Sequence, residues 1–128
     1  MAATGAGFLI PEPPILPADA AVLNKTADYT LVVANLLKIV TNTGDIDALV
    51  LTLPAAVDAA GMVLHVQLTA AQTVELLPVT LEKIFLGGDG VASKYLLIAG
   101  VIGNYARVYC DGEKWLVFDY NGVLTKEA

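Results

Sequence analysis

A chain of 128 residues is the size of one domain and long enough to bury a hydrophobic core of its own. It is 56% apolar and only 16% charged, and its net charge of −6, with no basic cluster, argues against nucleic acid as a partner. The uncharged runs are short: Gly100 and Gly103 interrupt Tyr95 to Ala106, and Gly5 and Gly7 interrupt Met1 to Pro11, whereas a spanning helix needs about 20 apolar residues.

The first residues lack the basic region of a signal peptide, so no export is expected and no membrane partner is implied. So much apolar surface with so few charges has another outlet, burial between subunits, and the composition points to a homo-oligomer. The single Cys110 has no partner for an internal disulfide and reads as a small core or interface residue, compatible with a reducing cytosol.

Residues 1–23 differ from the rest. Pro11, Pro13, Pro14 and Pro17 lie within one short stretch, and proline fixes φ and removes a donor, which favours an extended or polyproline conformation. Phe8, Leu9, Ile10, Ile15 and Leu16 are too apolar for a solvated linker. Phe8, Leu9, Ile10, Pro11, Pro13, Pro14, Ile15 and Leu16 are therefore expected to form a contact arm lying on a neighbouring subunit or a larger partner. A weak helical pattern covers Ala18 to Leu23.

The body, residues 24–128, carries strand signals at short intervals. Tyr29 to Ala34 and Leu37 to Thr41 are rich in β-branched and aromatic residues, and Asn42-Thr43-Gly44-Asp45 closes the second with turn chemistry. Ala48 to Leu53 stops at Pro54, and Ala55 to Ala60 permits one short helical turn. Further strands are expected over Met62 to Leu68, Thr73 to Leu77, Leu81 to Leu86, Tyr95 to Ala99, Asn104 to Cys110 and Lys114 to Asp119. No segment of helical period is long enough to cross over between parallel strands, so the expected fold is all-β, an antiparallel β-sandwich or barrel-like module. Several strands are apolar on both faces, which asks for cover from a second sheet and from another subunit.

The clearest local signal is Gly103 to Val117. Tyr105, Arg107 and Tyr109 alternate with Ala106, Val108 and Cys110, then Asp111-Gly112 breaks the run and Trp115 resumes it. Asp-Gly between two such runs marks a hairpin, because glycine accepts the positive φ a tight turn needs. Tyr105, Arg107, Tyr109 and Trp115 are the candidate subunit interface or aromatic face. Arg107 is expected to make a cation–π contact or an ion pair between subunits.

Little else points to chemistry. His65 lies mid-strand and reads as a packed or hydrogen-bonded residue, and one His with one Cys is a poor ligand supply for zinc. Cys110 precedes a hairpin turn, not the helix N-terminus that activates a thiol, and Ser93 is the only serine. Asp45, Asp47 and Asp89 sit in loops, but no EF-hand pattern surrounds them and aspartates in turns usually bond their own backbone. Gly87, Gly88 and Gly90 lack the GK[ST] and following helix of a phosphate loop. No catalytic residue, cofactor or metal is expected.

The segment Ala48 to Leu68, a strand ending in Leu53-Pro54-Ala55-Ala56 and resuming after Gly61, resembles modules of tailed-bacteriophage fibres and head-decoration (cement) proteins. Ile84 to Gly90 and the Tyr105 to Trp115 hairpin, a YxxVxxDGxxW pattern, complete the resemblance, which covers Ala27 to Phe118. It implies a homotrimeric, non-enzymatic virion protein. A single module behind a short apolar arm suits a decoration protein on the capsid exterior, with the major capsid protein as partner and assembly in the host cytoplasm. The alternative is a tail-fibre or baseplate module whose tyrosine–tryptophan strand binds host-surface glycans. A small β-barrel enzyme or carrier of cupin type is disfavoured by the scarcity of histidine.

Overall fold

The computed structural model of the chain describes residues 22–88 and 90–127. Among the described residues eleven strands form two sheets, and no helix reaches seven residues. In chain order the strands are β1 (Val22–Asn24), β2 (Tyr29–Thr30), β3 (Ile39–Thr41), β4 (Leu49–Thr52), β5 (Val63–Gln67) and β6 (Val74–Leu77). These are followed by β7 (Ile84–Phe85), β8 (Leu96–Ile98), β9 (Tyr105–Cys110), β10 (Trp115–Asn121) and β11 (Leu124–Lys126).

One sheet has six strands in the order β1-β3-β5-β9-β10-β7, and the other has five in the order β11-β8-β6-β4-β2. The chain alternates between them: each strand from β1 to β8 is followed by one in the opposite sheet. Successive visits to the same sheet lie side by side and parallel, β1 on β3 on β5 in one and β2 on β4 on β6 in the other. The first six strands therefore wind as a coil of two-strand turns, and β8 to β11 close it with antiparallel pairings.

This corrects the expectation of an antiparallel fold. Five of the nine described pairings are parallel. A parallel pair needs a crossover of about a dozen residues or more, usually a helix. Here the crossover from β1 to β3 contains β2, and that from β4 to β6 contains β5, so a strand of the other sheet takes the helix's place.

Strand periodicity builds the core. In β4, β6 and β8 the residues Leu49, Leu51, Val74, Leu76, Leu96 and Ile98 point inward and are buried. Leu64 and Val66 of β5 and Ala106, Val108 and Cys110 of β9 answer them from the six-stranded sheet. The strands that read as apolar on both faces thus have one buried face, while their other residues, such as Val50 and Leu97, are half-buried.

Several local expectations change. The strand expected over Tyr29 to Ala34 stops at Thr30, and Val33–Leu37 forms a 3-10 helix. Asn35 decides this: its side-chain oxygen accepts from the Val32 N–H at 2.8 Å and its own N–H donates to the Val32 carbonyl at 2.9 Å. The result leaves Leu36 buried and Leu37 55% exposed. The turn expected over Ala55 to Ala60 is a 3-10 helix at Ala56–Asp58, held by the Glu82 carboxylate, which accepts from the Ala56 N–H at 3.0 and 3.1 Å. The strand expected over Leu81 to Leu86 shrinks to Ile84–Phe85, because Leu81 adopts a φ of 74° that a strand does not accept. Val22 and Leu23, assigned to the arm and to a weak helical pattern, form part of β1, and residues 1–21 lie outside the described residues.

Candidate association face and groove

The outer face of the six-stranded sheet is ordered in rows that cross its strands. Val22 lies beside Ile39, Ile39 beside His65, His65 beside Arg107, and Arg107 beside Asp119. A second row sets Val63 beside Tyr109, then Leu116, then Phe85. A third runs Asn24, Thr41, Gln67, Tyr105 and Asn121. Tyr105, Arg107 and Tyr109 are thus gathered on one outward face, as their alternation predicts.

Trp115 does not join them. It lies opposite Cys110, is fully buried and belongs to the core. The aromatic face consequently lacks its expected tryptophan, because the residue that resumes the second strand of a hairpin shares the face of its partner, and Cys110 points inward. The hairpin itself forms as predicted. Gly112 takes a φ of +99°, and Asp111 accepts through Oδ1 from the N–H groups of Glu113 and Lys114, each at 2.9 Å.

Arg107 engages its own subunit. Its Nε donates to His65 Nδ1 at 3.4 Å and its guanidinium lies 3.7 Å from Asp119 Oδ2, while the Tyr105 hydroxyl donates to Asp119 Oδ1 at 3.4 Å. For His65 Nδ1 to accept, the ring must carry its proton on Nε2, which then donates to Gln67 Oε1 at 3.3 Å. Burial holds the His65 pKa below 6.5, the Gln67 bond opposes that shift, and the Arg107 charge reinforces it. The His65 ring also tilts against Tyr105 with centroids 5.7 Å apart. Among the described residues a cation–π contact lies elsewhere, with Lys25 Nζ 3.5 Å from the Tyr29 ring centroid.

A groove of about 470 Å³ opens on this face, with Leu37, Ile39, Met62, Val63, His65 and Phe118 in its walls and Lys38 and Arg107 at its polar margin. The β9–β10 register breaks beside it, between Val117 and Asp119. An extra residue in one strand re-aims a side chain, and here it brings Phe118, 55% exposed, into the groove lining. The sequence carries the mark of this bulge in the adjacent apolar pair Val117-Phe118, which breaks alternation. The contribution of Leu37 and Met62 has no comparable signal, since both come from connections between strands.

The other residues weighed from sequence have structural employment. Cys110 is buried, its Sγ donates to the Ala56 carbonyl at 3.3 Å, and burial pushes its thiol pKa up. Ser93 Oγ accepts from the Leu81 N–H at 2.7 Å. Asp45 is buried and its Oδ1 accepts from the Asp47 N–H at 3.3 Å. Asp89 lies outside the described residues, as do Phe8, Leu9, Ile10, Pro11, Pro13, Pro14, Ile15 and Leu16. Among the described residues no three metal-ligating side chains converge, and no helix is long and apolar enough to cross a membrane.

Comparison with known proteins gives no match to a protein-family model, to a curated protein or to a solved structure.

Proposed function

We propose that this chain is a structural protein of a phage virion, a decoration (cement) subunit that binds the capsid exterior as a homotrimer. The observation that carries the reading is the outer face of the six-stranded sheet, where Val22, Leu37 and Phe118 are each 55% exposed around an apolar groove. Apolar surface gathered on one face of a small domain marks an interaction site. Strand rows fix its shape, and the Arg107–Asp119 pair supplies polar groups beside the groove. The arm residues Phe8 to Leu16 add apolar side chains to the contact, and the capsid partner is the major capsid protein. Association is mechanical in this reading: each Å² of apolar area removed from water contributes about 25 cal/mol toward holding neighbouring capsomers together.

A tail-fibre or baseplate module binding host-surface glycans is the second reading, favoured by the exposed Tyr109 ring beside Val63. Co-sedimentation of the full chain with purified phage capsids, against host cells, separates the two. Decoration expects the protein in the pellet with capsids and in solution with host cells. Recovery on host cells alone would move the assignment to the fibre reading, and a monomer by light scattering would remove the trimer.

A further inference from the structure

We infer that the groove on the six-stranded sheet binds an amphipathic carboxylate, a straight acyl chain of medium length with an ionised head. Lys38 takes the head, and the chain lies across Ile39, Val63 and Phe118. Such a ligand fits the groove whether or not the domain belongs to a virion.

Size and wall chemistry point to the hydrocarbon part. The groove measures about 470 Å³. Small-molecule sites span about 300–1,000 Å³ and are mostly apolar, with a few placed polar groups that fix orientation. From β3 to β10 the sheet order gives three strand steps, about 14 Å in all, so an acyl chain can lie across the strands. Leu37, Ile39, Met62 and Val63 carry no hydrogen-bonding side-chain group, which suits a hydrocarbon and not a sugar. The Phe118 ring, 55% exposed, closes one side. The His65 ring is already hydrogen-bonded to Gln67 and Arg107 and enters as a wall.

Charge points to the head. Seven basic residues stand against 13 acidic ones in the chain. Yet the charged residues of the lining are Lys38 and Arg107, with no carboxylate among them. The two are not equivalent. Arg107 is engaged by Asp119 at 3.7 Å and by His65. Lys38 enters no ion pair among the described residues, although it is half-buried. Burying part of a charge without a partner is unfavourable. A carboxylate that brings its own apolar chain supplies that partner through a charge-assisted hydrogen bond, and the Lys38 stem adds methylene surface to the wall.

Titration of the full chain with decanoate, followed by amide and methyl NMR, tests this. Saturable shifts at Leu37, Ile39, Val63 and Phe118 are expected below about 1 mM. Octanoate should bind about tenfold more weakly, since each methylene removed from water is worth about fourfold. Decanol, which lacks the charge, should bind about tenfold more weakly than decanoate, and decyltrimethylammonium should leave those signals unmoved. Lys38→Met keeps an apolar stem and removes the ammonium. It should lower decanoate binding to the level of decanol and leave decanol unchanged, with the Trp115 indole resonance unmoved; a merely structural Lys38 would weaken both ligands alike. Equal binding of decanoate and decanol, or unchanged decanoate affinity in Lys38→Met, would overturn the anion site. Shifts centred on the five-stranded sheet, or no saturation at all, would overturn the groove as its place and leave that surface to a protein partner.

Discussion

Trp115 faces Cys110 across the β9–β10 hairpin, and both are completely buried between the two sheets. The pair ties the hairpin to the 3-10 helix at Ala56–Asp58, because the Cys110 thiol donates to the Ala56 carbonyl. Trp115→Ala should cost about 3–5 kcal/mol in chemical denaturation, the range for deleting a buried aromatic ring. The indole Nε1 has no hydrogen-bond partner in the structure, so Trp115→Phe removes an unsatisfied donor along with volume and should cost less than about 2 kcal/mol. A loss above 4 kcal/mol for Trp115→Phe would contradict that geometry. The Cys110 thiol, raised in pKa by burial, should react with a thiol reagent only at the rate of global unfolding.

Asp111 and His65 give the fold two separate pH dependences of the same sign. The Lys114 side chain, then the Glu113 and Lys114 N–H groups, lower the Asp111 pKa from 3.8 to about 2. A depressed carboxylate stabilises the fold above its unfolded value, and that contribution disappears as pH falls from 3.8 toward 2. His65 is also depressed, below 6.5, so the native state favours its neutral ring and stability declines as pH drops below 6.5. Carboxyl and imidazole NMR titrations check both. An Asp111 midpoint near 3.8, or a His65 midpoint above 6.5, would refute the corresponding geometry.

Asn42 links two loops. Its Oδ1 accepts from the N–H groups of Thr69 and Ala70 at 2.8 and 3.0 Å, and its Nδ2 donates to the Ala70 carbonyl at 3.4 Å. Asn42→Ala leaves two backbone donors without an acceptor at a buried position, which should cost about 2–4 kcal/mol. Asn42→Asp keeps the acceptor and should lose less. Equal losses in urea denaturation for the two substitutions would show that Oδ1 is not the group that matters.

Gly122 turns the chain from β10 to β11 with a φ of +91°, and a Cβ there would collide with the side chain of Asn104. Asn104 is buried and donates to the Ala99 carbonyl at 2.9 Å. Gly122→Ala combines left-handed strain with displacement of that bond and should cost about 2–4 kcal/mol. Hydrogen exchange should rise first over Leu124 to Lys126, whose pairing with β8 depends on the turn. A change within about 0.5 kcal/mol, the range of an ordinary surface substitution, would sink the prediction.

The amino-acid sequence by itself determined most of the strands, the Asp111-Gly112 hairpin, the short turn after Pro54 and the outward placement of Tyr105, Arg107 and Tyr109. Each follows from side-chain period or turn chemistry within a few residues. Pairing direction was not legible, because a strand's own residues carry the same alternation whether its neighbour runs parallel or antiparallel. Only the packing of β2 and β5 as crossovers decided it. Trp115 was read as part of the aromatic face although its register with Cys110 places it inside, and one residue of register is all that separates those outcomes. The groove depended on the tertiary structure most of all. Phe118 is brought to it by a bulge, Leu37 by the Asn35-capped turn and Met62 by the connection into β5, and three distant segments acquire a shared surface only when β3, β5, β9 and β10 pair in one sheet.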